Sequence, residues 1–109
     1  KQAAFSQYDR PKALCRYAAI ADHLKLGGKT DQQKVDKLID KIEELKKIIG
    51  IPASIQEAGV NEADFIAKLD LLAEDAFDDQ CTGANPRYPL ISEIKQVLLD
   101  SFYGRAYKD

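Results

Sequence analysis

The sequence predicts an all-α fold. Apolar residues return at three- and four-residue spacing in four stretches, capping residues and glycines bracket those stretches, and no alternating run of strand length occurs. These features describe a helical bundle of four main helices plus one short helical turn, joined by loops of ordinary bundle length. At 109 residues the chain is expected to form a single helical domain, 1–109, around one modest core.

Asp9 ahead of Pro11 opens the first helix, since an acidic N-cap accepts orphan amide protons and proline is tolerated in the first turn. The helix is expected to run to about Leu26. Leu14, Tyr17, Ala18, Ala21 and Leu24 form its apolar stripe, and Gly27-Gly28 end it. Thr30 and Gln33 then give a capping-box pattern, followed by Val35, Leu38, Ile39, Ile42, Leu45 and Ile49 on one face. The opposite face carries Lys37, Asp40, Glu43, Glu44 and Lys47, with Glu43 and Lys47 in the favourable i,i+4 order. Gly50 is a C-cap residue and Pro52 blocks continuation.

Ser54 and Glu57 repeat the capping pattern over the short turn, which Gly59 closes before Asn61 caps the third helix. That helix extends to about Phe77, with Phe65, Leu69, Leu72, Ala73 and Ala76 inward. Thr82-Gly83, Asn85-Pro86 and Pro89 mark residues 78–89 as a loop. The last helix, from Leu90 or Ser92 to Tyr103, aligns Ile91, Ile94, Leu98 and Phe102, and Gly104 terminates it.

Composition excludes several classes of function. Sixteen Lys and Arg against 18 Asp and Glu leave a net charge of −2 with both signs interspersed, so a nucleic-acid backbone has no basic surface to bind. No apolar run approaches the roughly 20 residues needed to cross a bilayer, and no signal segment opens the chain. Cys15 and Cys81 lack the dense spacing of a secreted disulfide framework, so both are expected as reduced thiols in a soluble cytoplasmic protein. The chain begins at Lys1 and contains no Met, and is expected to be a fragment of a longer polypeptide.

Few residues could carry chemistry. His23 is the single histidine, lies opposite the first stripe and has no partner spaced for a metal or a triad. Glu74, Asp75, Asp78 and Asp79 cluster at a helix end without the alternating pattern of a calcium loop. A solvated face, or carboxylates that cap loop amides, is the expected role, although negative charge there opposes the helix dipole. Gly27-Gly28 lacks the spacing and preceding strand of a nucleotide-binding turn. The loop from Asp78 to Arg87 differs in character. A cysteine, small residues and an Asn-Pro turn followed by arginine make a shaped, backbone-exposing connector, the kind of element on which binding residues are often placed.

That loop resembles a segment near the C-terminus of the iron-dependent alcohol dehydrogenases. Ile51-Pro52, Ser54-Ile55, Glu57 and Gly59-Val60 resemble another segment of that family. Phe5 to Pro11, Arg16-Tyr17-Ala18, Ile20 to Leu24, Ala76-Phe77 and Tyr88 to Glu93 are similar to the alcohol dehydrogenase part of the bifunctional aldehyde-alcohol dehydrogenases. The resemblance covers nearly the whole chain.

It implies the C-terminal part of a helical domain at the end of a long enzyme. An N-terminal aldehyde dehydrogenase part would convert acetyl-CoA to acetaldehyde, and the C-terminal part would reduce that to ethanol with NADH and Fe(II). Neither the glycine-rich nucleotide turn nor the family's ligands, an aspartate and three histidines, can be matched here. The chain is therefore expected to bind no iron or NAD(H) itself and to be inactive alone. The resemblance places Cys81 on the wall of the substrate channel, with Thr82, Gly83 and Asn85 shaping it. It further implies the remainder of the parent polypeptide as partner, with assembly into homo-oligomers or filaments. The competing expectation is a stand-alone helical interaction module, which should hide its apolar faces where a fragment would leave them exposed.

Overall fold

A computed structural model describes residues 12–106. Its regular elements are α1 (Ala13–His23), α2 (Asp31–Ile48), α3 (Glu62–Asp78), a single 3₁₀ turn (Thr82–Ala84) and α4 (Ile91–Tyr103). The expected all-helical class is therefore found. The start signal at Asp9 and Pro11, and the segment from Phe5 to Pro11, lie outside the described residues. Contacts group the chain into two compact units, one ending at Ile51 and one beginning at Pro52.

In the first unit α1 packs on α2 through small residues. Ala18 and Ala21 are buried, whereas the larger members of the same stripe, Leu14, Tyr17 and Leu24, remain about half exposed. Asp22 and Lys34 add an ion pair of 2.7 Å between the helices, and this hydrogen bond, foremost among several influences, raises the Lys34 pKa above its ordinary value. The first helix ends earlier than the expected Leu26, and not at the glycine pair. Lys25 takes the left-handed conformation at φ 56°. The Leu26 amide then reaches the Ala21 carbonyl and the Lys25 amide that of Asp22, both at 3.0 Å. This is a Schellman closure without glycine. Gly28 serves a different purpose: at φ 115° it passes so close to the start of α2 that a Cβ would sit 3.0 Å from the Lys34 amide nitrogen.

Thr30 caps α2 as expected, its side chain accepting from the Gln33 amide. The Gln33 side chain accepts in turn from the Lys29 amide at 2.9 Å, one residue before the cap itself. Gly50 at φ 75° closes the far end, with Ile51 and Gly50 amides on the carbonyls of Lys46 and Lys47. Glu43 pairs with Lys46 at 2.9 Å instead of the expected Lys47; both neighbours lie on the same helix surface. No residue of α2 is buried. Its isoleucine and leucine stripe stays open, with Ile39, Ile42, Leu45 and Ile49 each 50 to 60% exposed.

The second unit is an antiparallel hairpin of α3 and α4. Glu62 and Phe65, near the start of α3, meet Tyr103 and Phe102 at the end of α4, and Asp70, midway along α3, pairs with Lys95 in the first half of α4. Asn61 caps α3 through the Asp64 amide, as expected. Phe65, Leu69 and the fully buried Phe102 form the core, flanked by Ile55, Leu98 and Leu99. The rings of Phe65 and Phe102 stack with centroids 4.4 Å apart.

The short turn after Pro52 closes this core from one end. Ser54 accepts from the Glu57 amide, and the Glu57 carboxylate accepts from Ala53, so the turn is held by its own side chains. Its free amides at Ile55 and Gln56 then donate to Ser101 and Phe102 carbonyls at 3.0 and 3.2 Å. These carbonyls lie in the last turn of α4 and have no partner within the helix. Gly104 at φ 67° lets the Arg105 amide return to Asp100 at 2.8 Å, and its bare Cα accommodates Ser54, whose Cβ would stand 3.3 Å from an added methyl.

Phe102→Ala removes the one large side chain with no exposed surface in this unit, and is expected to cost about 3 to 5 kcal/mol. Urea denaturation followed by circular dichroism measures this, with the loss confined to the transition of the second unit.

Candidate functional site

The loop between α3 and α4 contains the residues that the sequence singles out. It begins where α3 ends without a left-handed residue. Asp79 follows the helix in extended conformation, φ −62° and ψ 132°. Its carboxylate accepts from the Cys81 amide at 2.7 Å, and its carbonyl accepts from the Thr82 amide at 3.0 Å. The Thr82 hydroxyl donates back to the Ala76 carbonyl, an orphan acceptor of the last turn of α3. Asp79 thus takes the loop-capping role allowed for the acidic cluster.

The 3₁₀ turn then forms through Ala84 to Cys81 and Asn85 to Thr82, at 3.0 and 3.1 Å. Cys81 is a free, exposed thiol, not the buried packing group that a mere connector would use. A Cβ on Gly83 would meet nothing within 4 Å, so that position faces open space. The four expected site residues are accordingly not equivalent. Cys81 and Gly83 present surface, the Thr82 hydroxyl is committed to the helix end, and the Asn85 side-chain amide donates to the Arg87 carbonyl.

Beyond Asn85 the loop is tied to α4 by a residue that sequence reading treats only as part of a matching segment. One Glu93 carboxylate oxygen accepts from the Leu90 amide at 2.9 Å and the other from the Arg87 guanidinium at 2.6 Å. Leu90 has no side-chain acceptor to cap the helix, so Glu93, three residues into it, supplies that end of the capping arrangement. The signal was present in the spacing of Leu90 and Glu93 but lacked the usual Ser or Thr. The Leu90 amide, foremost, and Arg87 hold the Glu93 carboxyl below its ordinary 4.5, against the opposing effect of partial burial. Tyr88 lies edge-on to Phe77, centroids 5.7 Å apart, and anchors the middle of the loop to α3.

Asn85, Arg87, Pro89 and Glu93 border an open cleft of about 280 Å³ whose other side is the apolar face Ile94, Val97 and Leu98. Cys81, Thr82 and Gly83 do not line it. His23 is exposed at the end of α1, as its place opposite the stripe implies. Among the described residues no three His, Cys, Asp or Glu side chains stand together as a metal site. Nor is any helix among them long and apolar enough to cross a membrane.

The family described as Fe-containing alcohol dehydrogenase family, C-terminal, matches residues 3–102. The bifunctional aldehyde-alcohol dehydrogenase of Escherichia coli K12 is 66% identical over 109 residues, 98% of this chain and 12% of that protein. The aldehyde-alcohol dehydrogenase of Clostridium acetobutylicum is 58% identical over 102 residues, 94% of this chain and 12% of its own length. The NADPH-dependent butanol dehydrogenase of Clostridium saccharobutylicum is 39% identical over 98 residues, 90% of this chain and 25% of its own length. The chain therefore spans about an eighth of the first two relatives and a quarter of the third.

The depressed Glu93 carboxyl stabilises the fold fully above the ordinary value of 4.5, and that contribution is lost as pH falls through the lower folded value. In a comparison of the wild type with Glu93→Gln by chemical denaturation between neutral and acid pH, the stability gap is expected to narrow below pH 4.5. A gap that widens on acidification contradicts this assignment.

Proposed function

Because this chain belongs to the Fe-containing alcohol dehydrogenase family, we propose that it works as the C-terminal helical segment of a longer aldehyde-alcohol dehydrogenase. That polypeptide would reduce acetaldehyde to ethanol with NADH, in the cytoplasm, and this segment would supply helical packing and one wall of the substrate channel. The observation that carries the reading is the family match along nearly the entire chain.

The exposed apolar faces support it independently. Ile39, Ile42, Leu45, Ile48 and Ile49 of the second helix region and Leu14, Tyr17 and Ile20 of α1 are all at least two-fifths exposed. A self-contained interaction module has no reason to expose two helical stripes at once, whereas a segment packed against further helices of the same enzyme does. The partner is thus the remainder of the parent polypeptide, with assembly into homo-oligomers or filaments as a further part of the proposal.

The family name implies iron, but the described residues hold no donor set that fits a metal. In this reading other parts of the longer chain would hold the metal and the nicotinamide cofactor. What this segment contributes is shape. Cys81 offers an exposed thiol and Gly83 an unobstructed backbone, while Thr82 and Asn85 hold the turn that presents them. A small aldehyde needs such a wall to keep its carbonyl oriented while water is excluded.

Two measurements test the reading. The purified 109-residue chain is expected to bind no stoichiometric iron on metal analysis and to oxidise no NADH with acetaldehyde; a tight iron site overturns it. In the full-length polypeptide, Cys81→Trp is expected to raise KM for aldehydes, more for longer ones. Unchanged kinetics for short and long aldehydes removes Cys81 from the channel.

A further inference from the structure

The described helices end in two different ways. α1, α2 and α4 each close on a residue in the left-handed region, Lys25, Gly50 and Gly104, with backbone amides folding back on the last carbonyls. α3 has no such residue. It ends on Asp79 in extended conformation, and two side chains take over the work: the Asp79 carboxylate on the Cys81 amide and the Thr82 hydroxyl on the Ala76 carbonyl. A carboxylate at this end opposes the helix dipole, and a glycine would terminate the helix without that cost. The arrangement therefore needs a reason beyond ending the helix.

The hydrogen bonds indicate what it achieves. The Cys81 amide is fixed by the Asp79 side chain and the Cys81 carbonyl by the Ala84 amide. The next residue is bound twice, through the Thr82 amide to Asp79 and through its hydroxyl to Ala76. The far end of the turn is held separately, by Asn85 on the Arg87 carbonyl and by Arg87 on Glu93. A left-handed glycine closure would reverse the chain direction immediately after α3. The Asp79 closure instead inserts one extended residue and then turns over Gln80 and Cys81, closed by the Thr82 amide on the Asp79 carbonyl, and it leaves Cys81 exposed with its backbone restrained on both sides.

We propose that Asp79 is a positioning residue for Cys81, and that Thr82 fixes the same turn to α3, so that the placement of this loop sets how well the aldehyde is held. This rests on the reading that the loop faces the substrate channel. Asp79 touches no reacting atom in this scheme; it acts through the Cys81 amide, and only its acceptor oxygen is required.

The test uses the full-length polypeptide with acetaldehyde and a longer aldehyde. Asp79→Ala loses the acceptor and is expected to raise KM about fivefold while kcat changes less than about twofold. Asp79→Asn keeps an acceptor oxygen and is expected to restore KM, a rescue that loss of a charge would not permit. Thr82→Val and Thr82→Ser form a second pair with the same expected loss and recovery, and carry the test if Asp79→Ala fails to give native circular dichroism. Cys81→Trp separates the two levels of the argument. If it alters KM while Asp79→Ala and Thr82→Val do not, positioning is overturned and the channel reading stands. If all three are silent, the channel reading falls with it. Asp79→Asn as impaired as Asp79→Ala, or a fall in kcat at constant KM, also overturns the inference.

Discussion

The second unit depends on how the last turn of α4 is completed. A helix end leaves carbonyls without partners, and burying it unpaired would oppose the packing of any side chain nearby. Here the Ile55 and Gln56 amides take the Ser101 and Phe102 carbonyls while Arg105 returns to Asp100. Only with those groups satisfied can Phe102 reach complete burial against Phe65. The turn after Pro52 is consequently as much a part of this core as the helices are. Its internal Ser54 and Glu57 bonds free its amides to point at α4.

Most of the helical framework was legible because it rests on local chemistry. Thr30 and Asn61 cap where capping residues should, Gly50 and Gly104 close where left-handed residues are needed, and the period of the apolar residues locates α2, α3 and α4 to within a residue or two. The end of α1 was misplaced for an instructive reason. Lysine at φ 56° is uncommon, so a closure at Lys25 looks less favourable on paper than one at the glycine pair two residues on. The second of those glycines, Gly28, is needed instead for the close passage beside Lys34. Periodicity also identifies an apolar face without identifying its cover. The stripes of α1 and α2 are real, yet their larger side chains remain exposed.

The candidate site was readable as a segment and less so as a set of side chains. Residue types in the loop from Asp78 to Arg87 mark a shaped connector, and the family match is consistent with the resemblance those residues carry. Which side chains face outward is decided by hydrogen bonds that composition does not encode. The Thr82 hydroxyl is committed to the end of α3 and the Asn85 amide to a loop carbonyl, whereas the Cys81 thiol is exposed and the Gly83 backbone meets open space. Glu93 escaped notice as a cap because its partner is a leucine amide and an arginine six residues before it.

The pairing of α1 with α2 and of α3 with α4 joins helices that are consecutive in the chain. Contacts of this kind join neighbours in sequence, so pairing them costs less chain entropy than pairing helices far apart in the chain. The docking of Ile55 and Gln56 onto Ser101 and Phe102 is different, because it closes a loop that contains both helices of the second unit. Closing it costs more chain entropy than pairing the two helices does, and the contact that seals the aromatic core is thus the most non-local one in that unit.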